Sequence, residues 1–471
     1  MTDTQSIDNF DRIYFVGAGG IGMAALVRYF LSLGKRVAGY DRTRTKLTDE
    51  LTDEGALISY EDTMDAVPDG FRDPETTLVV YTPAIPHGNV PLSFFRDRGF
   101  CIMKRSQVLG LITRGSKSLC FSGTHGKTTT SSMAAHIMHC AGPGCNAFLG
   151  GILRNYNSNL LLSATSPYTV IEADEYDRSF HTLTPHIAVV TATDPDHLDI
   201  YGTEEAYLES FAHFTELIRP DGGKLLVHTG LKLVPRQPSG VPVYTYSRDE
   251  GDFHASNIRR GDGRIVFDFE GPDGLLIRDI DLGVPVEINI ENAVAALAAC
   301  WLTGDLDVRK AAEAVASFMG PERRFEFVVR QSCKGGKVVI DDYAHHPDEL
   351  RQSIQSVKAL YPDRSLTVAF QPHLYSRTRD FAPQFAEALS LADNVILVDI
   401  YPAREEPIPG VTSEIIFKDI TCPGKTMCSK KELPGVLALQ DIDVLLTAGA
   451  GDIVDCLPEI KKLYGVDDGQ A

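Results

Sequence analysis

Eleven short runs of β-branched and other apolar residues recur along this chain, separated by amphipathic stretches long enough to form helices. The runs are RIYFVG, RVAGYD, TLVVYTP, SLCFSG, YTVIEAD, IAVVTATD, KLLVHTG, KVVIDDYAHH, LTVAFQPH, NVILVDIY and VLLTAGAGD. Such runs are typical of strands covered on both faces, and their alternation with helical stretches predicts βαβ units with mostly parallel sheets. The predicted fold class is α/β.

Two breaks divide the 471 residues into three predicted domains, 1–112, 113–323 and 324–471. At TRGSK (113–117) a helix-like segment gives way to a new strand, and at MGPERRFEF (319–327) Gly320 and Pro321 end a long alanine-rich helical stretch. Within the second domain, RIVFDFEGPDGLLIRDIDL alternates apolar and polar residues around Pro-Asp-Gly. This pattern predicts an antiparallel hairpin at the edge of that domain's sheet.

Charge and cysteine content narrow the classes of function. The 64 acidic and 45 basic residues give a net charge of −19, which disfavours nucleic acid and membrane surfaces as partners. Nine cysteines form no C-x-x-C pair and their number is odd, so we expect reduced thiols and a cytoplasmic location. The acidic N-terminus does not read as a signal peptide, and no apolar run of 18 residues predicts a membrane span.

A glycine-rich loop, FSGTHGKTTT at 121–130, follows one predicted strand and precedes a predicted helix. It is shorter than the common P-loop, because two rather than four residues separate Gly123 from Gly126. Backbone amides and the helix N-terminus would face a phosphate chain there. Lys127 would neutralise phosphate charge and the Thr128 hydroxyl would bind Mg²⁺.

Two further strand ends carry side chains that can bind ligands. Glu172 ends the strand of IEADEYD, and His197 follows the next strand between Asp196 and Asp199. Ligands bind at the carboxyl ends of strands in open α/β sheets, and carboxylate oxygens suit Mg²⁺. We therefore predict Glu172 as a Mg²⁺ ligand beside the phosphate loop, and His197 as part of a ligand-binding site at the neighbouring strand end.

A second glycine loop, VGAGGIG, comes a hundred residues earlier and fits G-x-G-x-x-G through Gly17, Gly19 and Gly22, with Asp41 at the end of the following strand. By itself this fingerprint suggests a dinucleotide site and an NAD-dependent dehydrogenase with an accessory ATPase domain. However, the loop fixes only a diphosphate at a helix N-terminus, so any nucleotide diphosphate would satisfy it.

The segments GTHGKTTT, EADEYDRSF, DHLDIYG, RRFE, DDYAHHPDE, FQPHLYSRT, DIYPAREEPIPG and GAGD follow one another along the chain. In their order and approximate spacing the chain resembles the Mur ligases over nearly its whole length. The resemblance implies a Rossmann-like N-terminal domain that binds a UDP-sugar, a P-loop-type central ATPase domain with a mostly parallel sheet, and a Rossmann-like C-terminal domain that binds the amino acid and closes over both. It would explain the two glycine loops, one for each nucleotide.

The resemblance also implies roles for individual residues. For ATP they are Gly123, Thr124, His125, Gly126, Lys127, Thr128, Thr129, Asn289, Asn292, Arg324 and Asp342. The residues implied for the UDP-sugar and the amino acid are Gly17, Gly19, Gly22, Asp41, Tyr343, His373 and Arg377. Those implied for Mg²⁺, or for Mn²⁺ in its place, are Thr128, Glu172 and His197. Those implied for catalysis are Lys127, His197, Arg324 and His345.

The implied reaction joins L-alanine to the carboxylate of UDP-N-acetylmuramate in peptidoglycan precursor synthesis, with ATP converted to ADP and phosphate through an acyl phosphate. The related ligase that recycles murein tripeptide is the alternative within the family, and the dehydrogenase is the alternative outside it. A non-catalytic nucleotide-binding module is disfavoured because most of the expected positions are filled. A monomer and a homodimer both remain open.

Three positions depart from the family pattern. Leu374 stands where an arginine is usual in FQPHRYSRT, Ile288 replaces a histidine, and Ala192 replaces an asparagine. The segment TEEAYLESFAHF has no lysine, so the carbamylated lysine of other branches has no counterpart there. The Leu374 difference leaves open how the substrate carboxylates are held.

Overall fold

The computed structural model describes residues 7–82, 85–86, 88–196, 198–261, 263–331, 335–403 and 405–465. These residues divide into two compact units, one comprising 1–257, 267–280 and 291–318, the other 258–266, 281–290 and 319–471. Within the described ranges, no helix combines the length and the hydropathy needed to cross a bilayer. The cysteines in those ranges are free thiols.

Strands and helices alternate along the chain. The N-terminal part contains β1 (Arg12–Val16), α1 (Ile21–Ser32), β2 (Arg36–Tyr40), α2 (Lys46–Asp53), β3 (Leu57–Ser59), β4 (Thr77–Tyr81), α3 (Val90–Asp97), β5 (Cys101–Lys104) and α4 (Arg105–Gly115). The middle part contains β6 (Lys117–Ser122), α5 (Lys127–Ala141), β7 (Asn146–Leu153), β8 (Ser158–Leu161), β9 (Tyr168–Glu172), β10 (Ile187–Val190), α6 (Leu198–Tyr201), α7 (Glu204–Glu216), β11 (Lys224–His228), β12 (Val243–Tyr246), β13 (His254–Gly261), β14 (Arg264–Gly271), β15 (Leu275–Asp281), α8 (Glu287–Leu302) and α9 (Val308–Ala316). The C-terminal part contains β16 (Glu326–Arg330), β17 (Val338–Asp342), α10 (Pro347–Leu360), β18 (Leu366–Phe370), α11 (Tyr375–Leu389), β19 (Asn394–Val398), α12 (Glu414–Phe417), β20 (Gly424–Cys428), α13 (Leu433–Ala438), β21 (Val444–Ala448) and α14 (Leu457–Leu463).

Three large sheets organise these elements. The first has the order β3-β2-β1-β4-β5 and is wholly parallel. The second has the order β12-β11-β10-β6-β9-β7-β8, and its β7–β8 edge pair is antiparallel. The third has the order β16-β17-β21-β18-β19-β20 and is antiparallel only between β16 and β17. The predicted α/β class is confirmed, and each of the eleven apolar runs contains a strand.

The hairpin predicted at 264–282 does not lie at the edge of the central domain's large sheet, so that part of the prediction was wrong. β14 and β15 are neighbours joined by residues 272–274, but with β13 they form a separate three-stranded sheet rather than an edge of the seven-stranded one. The burial of β14 alternates residue by residue, so one of its faces requires an apolar partner of its own. Phe269 stacks on the buried Phe253, which packs edge-on against Trp301.

The first two sheets lie in the same compact unit. Phe30 of α1 belongs to one apolar cluster with Phe148 of β7 and Phe211 of α7, and Tyr29 contacts the Phe148 ring edge-on. The Asn159 amide also donates a hydrogen bond of 2.9 Å to the Ile21 carbonyl at the start of α1. The domain boundaries deduced from the sequence therefore stay a prediction.

Candidate active site

The phosphate loop connects β6 to α5, as predicted. Gly123 has φ +137°, and a β-carbon there would lie 2.2 Å from the Thr191 hydroxyl and 2.7 Å from the Ala192 nitrogen. Gly126 has φ +82° at the start of α5, where a β-carbon would lie 2.9 Å from the Asn292 side-chain oxygen. Glycine is therefore required at both positions, by backbone conformation and by space. The resulting loop leaves the N-terminus of α5 at the carboxyl edge of the sheet, a favourable place for an anion.

The Thr124 side chain and the backbone of His125 secure the loop. The Thr124 hydroxyl donates 2.7 Å to the Asp194 carbonyl, and the Thr124 amide donates 3.0 Å to the Ala192 carbonyl. The His125 carbonyl accepts from the Thr191 hydroxyl, while the His125 side chain is exposed. Thr129 follows in the first turn of α5 and is half-buried. The loop is thus fixed by its neighbours before any ligand binds.

Lys127 is held by an acidic partner that the sequence analysis missed. Its ammonium lies 2.8 Å from a carboxylate oxygen of Glu175 and 2.6 Å from the Gly123 carbonyl. The Glu175 side chain is 1% exposed and that of Lys127 is 15% exposed, so this ion pair is largely buried. Glu175 stands three residues after Glu172 in the EADEYD motif, where the surplus of carboxylates was the available signal.

Thr128 and Glu172 lie together, as the metal-site prediction requires. The Thr128 hydroxyl donates 3.0 Å to one carboxylate oxygen of Glu172, and the Gly150 amide donates 3.0 Å to the other. Burial raises the pKa of Glu172, although Lys127 and the Thr128 hydroxyl oppose the shift. A hydroxyl and a buried carboxylate beside a phosphate loop are the oxygen ligands that Mg²⁺ prefers, so the residues present fit this ion.

The third predicted metal ligand, His197, lies outside the described residues. Among the described residues, no group of three or more His, Cys, Asp or Glu side chains forms a metal site. Any metal here must therefore combine Thr128 and Glu172 with substrate oxygens, water or His197.

The two predicted asparagines of α8 have different neighbours. The Asn292 side-chain oxygen accepts 3.1 Å from the Thr130 hydroxyl in the first turn of α5, which places it beside the phosphate loop. Asn289, one turn earlier in α8, is buried and donates 3.1 Å to the Val284 carbonyl. Only Asn292 is directly seen beside the loop.

The first glycine loop follows β1 and leads into α1. Gly17 has φ +89°, and a β-carbon there would lie 2.7 Å from Thr82. The Gly19 amide donates 2.7 Å to the Asp41 carboxylate, so Asp41 fixes the loop itself. At Gly22 a β-carbon would lie 2.7 Å from the guanidinium of Arg105, a cation at this loop that the sequence analysis did not single out.

In the second compact unit, Arg323 secures the segment that carries Arg324. The Arg323 guanidinium donates 3.1 Å to the fully buried Asp341 and also bonds the carbonyls of Gly449 and Gly451 in the GAGD turn. Its backbone has φ +57°. The RRFE motif indicated a role only for Arg324, but Arg323 is the residue that anchors the segment to β17 and to the turn after β21.

The positive charge of Arg324 acts on the carboxylate of Asp342. The Arg324 guanidinium lies 5.3 Å from the centre of the Tyr343 ring. Asp342 is buried, accepts from the Ser353 hydroxyl and is 3.4 Å from the Phe325 amide. Burial raises the pKa of Asp342 to about 6, against the lowering effects of Ser353 and Arg324.

The remaining predicted residues of this unit converge. The rings of Tyr343 and His345 lie 5.3 Å apart, and those of His345 and His373 lie 6.1 Å apart. An Arg377 nitrogen is 3.5 Å from Nδ1 of His373, whose ring stacks on Tyr401. Burial lowers the pKa of His345 and of His373, so both favour the neutral imidazole.

Leu374, the position that departs from the family pattern, has φ +71° immediately before α11. Its amide donates 2.9 Å to the Tyr401 carbonyl, and its side chain is half-buried. A non-glycine residue in this conformation is strained, and the strain falls at the helix that carries Arg377.

Comparisons with known proteins agree with this geometry. Family models described as "Mur ligase family, catalytic domain", "Mur ligase middle domain" and "Mur ligase, glutamate ligase domain" match residues 12–117, 121–300 and 323–454. The UDP-N-acetylmuramate–L-alanine ligase of Phocaeicola vulgatus is 59% identical over 462 residues, covering 98% of this chain and 99% of the relative. This chain belongs to the Mur ligase family.

Solved structures give the same three-domain architecture. The UDP-N-acetylmuramate-alanine ligase MurC of Thermotoga maritima has a TM-score of 0.77 and 26% identity, covering 96% of this chain and 99% of that one. A murein peptide ligase of Psychrobacter arcticus has a TM-score of 0.62 and 21% identity, covering 96% and 98%, and shows the fold alone. The predicted family and three-domain α/β fold are confirmed.

Proposed function

We propose that this chain is the ATP-dependent ligase that joins L-alanine to the carboxylate of UDP-N-acetylmuramate, giving ADP and phosphate. The observation that carries the proposal is the identity of 59% over 98% of the chain to a relative of that name. The Lys127–Thr128–Glu172 arrangement at the start of α5 supports a nucleoside triphosphate as co-substrate. A cytoplasmic location and small-molecule partners follow from the same proposal.

Two nucleotides would occupy the two glycine loops. We assign the UDP diphosphate to Gly17, Gly19 and Gly22, and the ATP phosphates to residues 123–129. Asn292 supports the second assignment because it lies beside the ATP loop. Residues 1–112, 113–323 and 324–471 would then be the UDP-sugar, ATP and amino-acid domains.

The chemistry requires an activated carboxylate, because a carboxylate oxygen is a poor leaving group. Transfer of the γ-phosphoryl group to UDP-N-acetylmuramate would give an acyl phosphate, which the amine of alanine attacks with release of phosphate. The role of the protein is to position the reactants and to offset negative charge through Lys127 and Arg324. His345 or His373, which favour the neutral form, would accept the proton of the amine. Tyr343 and Arg377 lie with them and would hold the carboxylates.

We assign Mg²⁺ to Thr128 and Glu172, with His197 as a ligand of a second ion. When bound, Mg²⁺ neutralises the charge that builds up between the γ-phosphate and the substrate carboxylate. Burial raises the pKa of the Glu172 carboxylate, so a bound cation would stabilise its charged form. Mn²⁺ should also serve, since it accepts nitrogen ligands more readily than Mg²⁺ does.

His197→Ala tests the second ion. The variant should bind ATP normally but form acyl phosphate slowly, and a high Mg²⁺ concentration should restore part of the rate by mass action on the remaining oxygen ligands. ATP binding by calorimetry and ADP formation before alanine is added would measure the two effects. His213→Ala, at a histidine of α7 paired with Glu216, is the control that should leave metal dependence unchanged. Equal metal dependence in wild type and His197→Ala would remove His197 from the metal site.

Phosphate release from ATP is the direct test of the reaction. It should require UDP-N-acetylmuramate together with L-alanine, and glycine and L-serine should be tested beside it. Release with free murein tripeptide instead of alanine would identify the recycling ligase. Tight NADH binding, followed by its fluorescence, would favour the dehydrogenase.

Gly19→Val tests the first glycine loop. A β-carbon at this position would lie 2.8 Å from Thr48 and 2.9 Å from the Asp41 carboxylate, so valine should displace the loop that we assign to the UDP diphosphate. We expect a KM for UDP-N-acetylmuramate raised about tenfold or more, and a KM for ATP that is nearly unchanged. Steady-state kinetics with each substrate varied in turn measures both. An equal rise in both KM values would contradict separate loops.

A further inference from the structure

The tautomer of His345 is fixed by its surroundings. Its Nδ1 lies 3.0 Å from the Tyr343 carbonyl, which can only accept a hydrogen bond, so Nδ1 carries the proton. The neutral ring therefore keeps its lone pair on Nε2. A histidine whose second nitrogen is tied in this way is oriented to accept a proton at the first.

Glu349 faces the protonated nitrogen of the same ring. One of its carboxylate oxygens lies 3.5 Å from Nδ1 of His345 and accepts the backbone amides of His345 at 3.0 Å and His346 at 3.2 Å. Glu349 belongs to the first turn of α10, which begins at Pro347. The two amides hold the carboxylate in place, so it remains beside His345 whether or not the ring is charged.

Two arginines act on this pair, while the nearest further carboxylates belong to Asp348, 3.7 Å from the ring of His346, and to Glu405, which acts on His373. Arg324 and Arg377 act on His345 and lower its pKa, as burial does, and Arg324 also acts on Glu349. His373 and Tyr343 are the titratable rings next to it. Although burial raises the pKa of Glu349, His345, the two amides and Arg324 bring it below its usual value. Glu349 is thus the anion in direct contact with His345 that can offset a positive charge on the ring.

We infer that Glu349 is a positioning residue for the ligation step, holding His345 with Nε2 free and stabilising the imidazolium that forms when Nε2 takes a proton from the amino acid. This inference rests on the proposed function and narrows its choice of proton acceptor to His345. Among the described residues, the group at Nδ1 of His373 is the guanidinium of Arg377 rather than a carboxylate.

The proton and electron balance is simple. The ammonium group of L-alanine gives one proton to Nε2, and the lone pair left on nitrogen attacks the acyl carbon. The C–N bond forms, the C–O bond to phosphate breaks with its electron pair on the leaving phosphate, and the nitrogen loses a second proton to that phosphate or to water. No oxidant or further reactant is required.

Glu349→Gln tests the inference because the amide oxygen can still accept from the two backbone amides while the negative charge is lost. Without that charge the pKa of His345 falls, so the acidic limb of the pH profile for alanine-dependent product formation should move to lower pH by about one unit. The plateau rate should fall about tenfold, with the KM values for ATP and UDP-N-acetylmuramate unchanged within about twofold. Glu349→Asp should recover part of both effects. An unshifted acidic limb in Glu349→Gln would overturn the inference.

A second nucleophile separates the role of Glu349 from a general loss of structure. Hydroxylamine is largely unprotonated at neutral pH, so it should trap the acyl phosphate as hydroxamate at equal rates in wild type and Glu349→Gln. A variant that is merely misfolded would lose hydroxamate formation as well, and an equal loss with both nucleophiles would count against the inference.

The matched control is Glu432→Gln. Glu432 accepts the Ser429 amide at 2.9 Å, so it caps a turn as Glu349 does, but it pairs with no histidine in the described part of the chain. We expect its pH profile to match that of wild type. If wild type shows no alanine-dependent phosphate release, the proposed function fails. If wild type is active but the pH profiles of wild type and Glu432→Gln match that of Glu349→Gln, only the role of Glu349 fails.

Discussion

Lys127→Met should lose nearly all ligase activity, by a factor of about 1,000 or more, because the ammonium at the phosphate loop offsets charge that develops in the transition state. Its stability should fall as well. The reason is that the structure buries the Lys127 ammonium against Glu175, a partner that the loop sequence does not reveal. Removing one partner of a buried pair leaves an uncompensated charge and costs about 3 kcal/mol. Phosphate release and urea unfolding measure the two effects.

The double variant Lys127→Met with Glu175→Gln separates these effects. It removes both charges, so stability should return towards that of wild type while activity stays lost. Lys232→Met, in an exposed pair with Glu204, is the control that should change neither quantity strongly. Retention of more than about a tenth of the activity in Lys127→Met, a loss below 1.4 kcal/mol, would contradict the role given to Lys127.

Glu172→Gln should reduce kcat/KM by about 100-fold while leaving the protein as stable as wild type or more stable by up to about 1 kcal/mol. The amide can accept from Gly150 and donate to the Thr128 hydroxyl, so both present hydrogen bonds keep a counterpart. It no longer carries the buried charge whose desolvation raises the pKa of Glu172. A charge kept at a destabilising position is typical of a functional site. Mg²⁺ titrations of activity together with thermal unfolding test the two expectations.

Asp174→Asn is the matched control for Glu172→Gln. Asp174 belongs to the same acidic motif and accepts the Tyr176 amide at 3.0 Å, a bond that asparagine can retain. The variant should keep its Mg²⁺ dependence and most of its activity. If Asp174→Asn raised the Mg²⁺ requirement as much as Glu172→Gln, the general negative charge of the motif, rather than Glu172, would account for metal binding.

The fold class could be predicted because strands buried on both faces consist of unbroken apolar runs, which are visible in the local sequence. Runs such as VVIDD and LTVAF are buried along their whole length in β17 and β18, as the unbroken apolar pattern requires. Strands with weaker patterns were not predicted, among them β7, whose apolar run is interrupted by Gly150 and Gly151, and β20, which alternates in burial at the edge of its sheet. The separate sheet of β13, β14 and β15 was also missed, because local alternation shows that one face is buried but not what covers it.

The sequence by itself determined the two glycine loops, the residues that follow each strand and their order along the chain. Gly123 and Gly126 were identifiable because their backbone conformation excludes other residues. Only the tertiary structure decided which charges meet. Glu175 reaches Lys127 across 48 positions, and Arg323 rather than Arg324 binds Asp341. Electrostatic pairing depends on distance and burial in three dimensions, and neither is set by spacing along the chain.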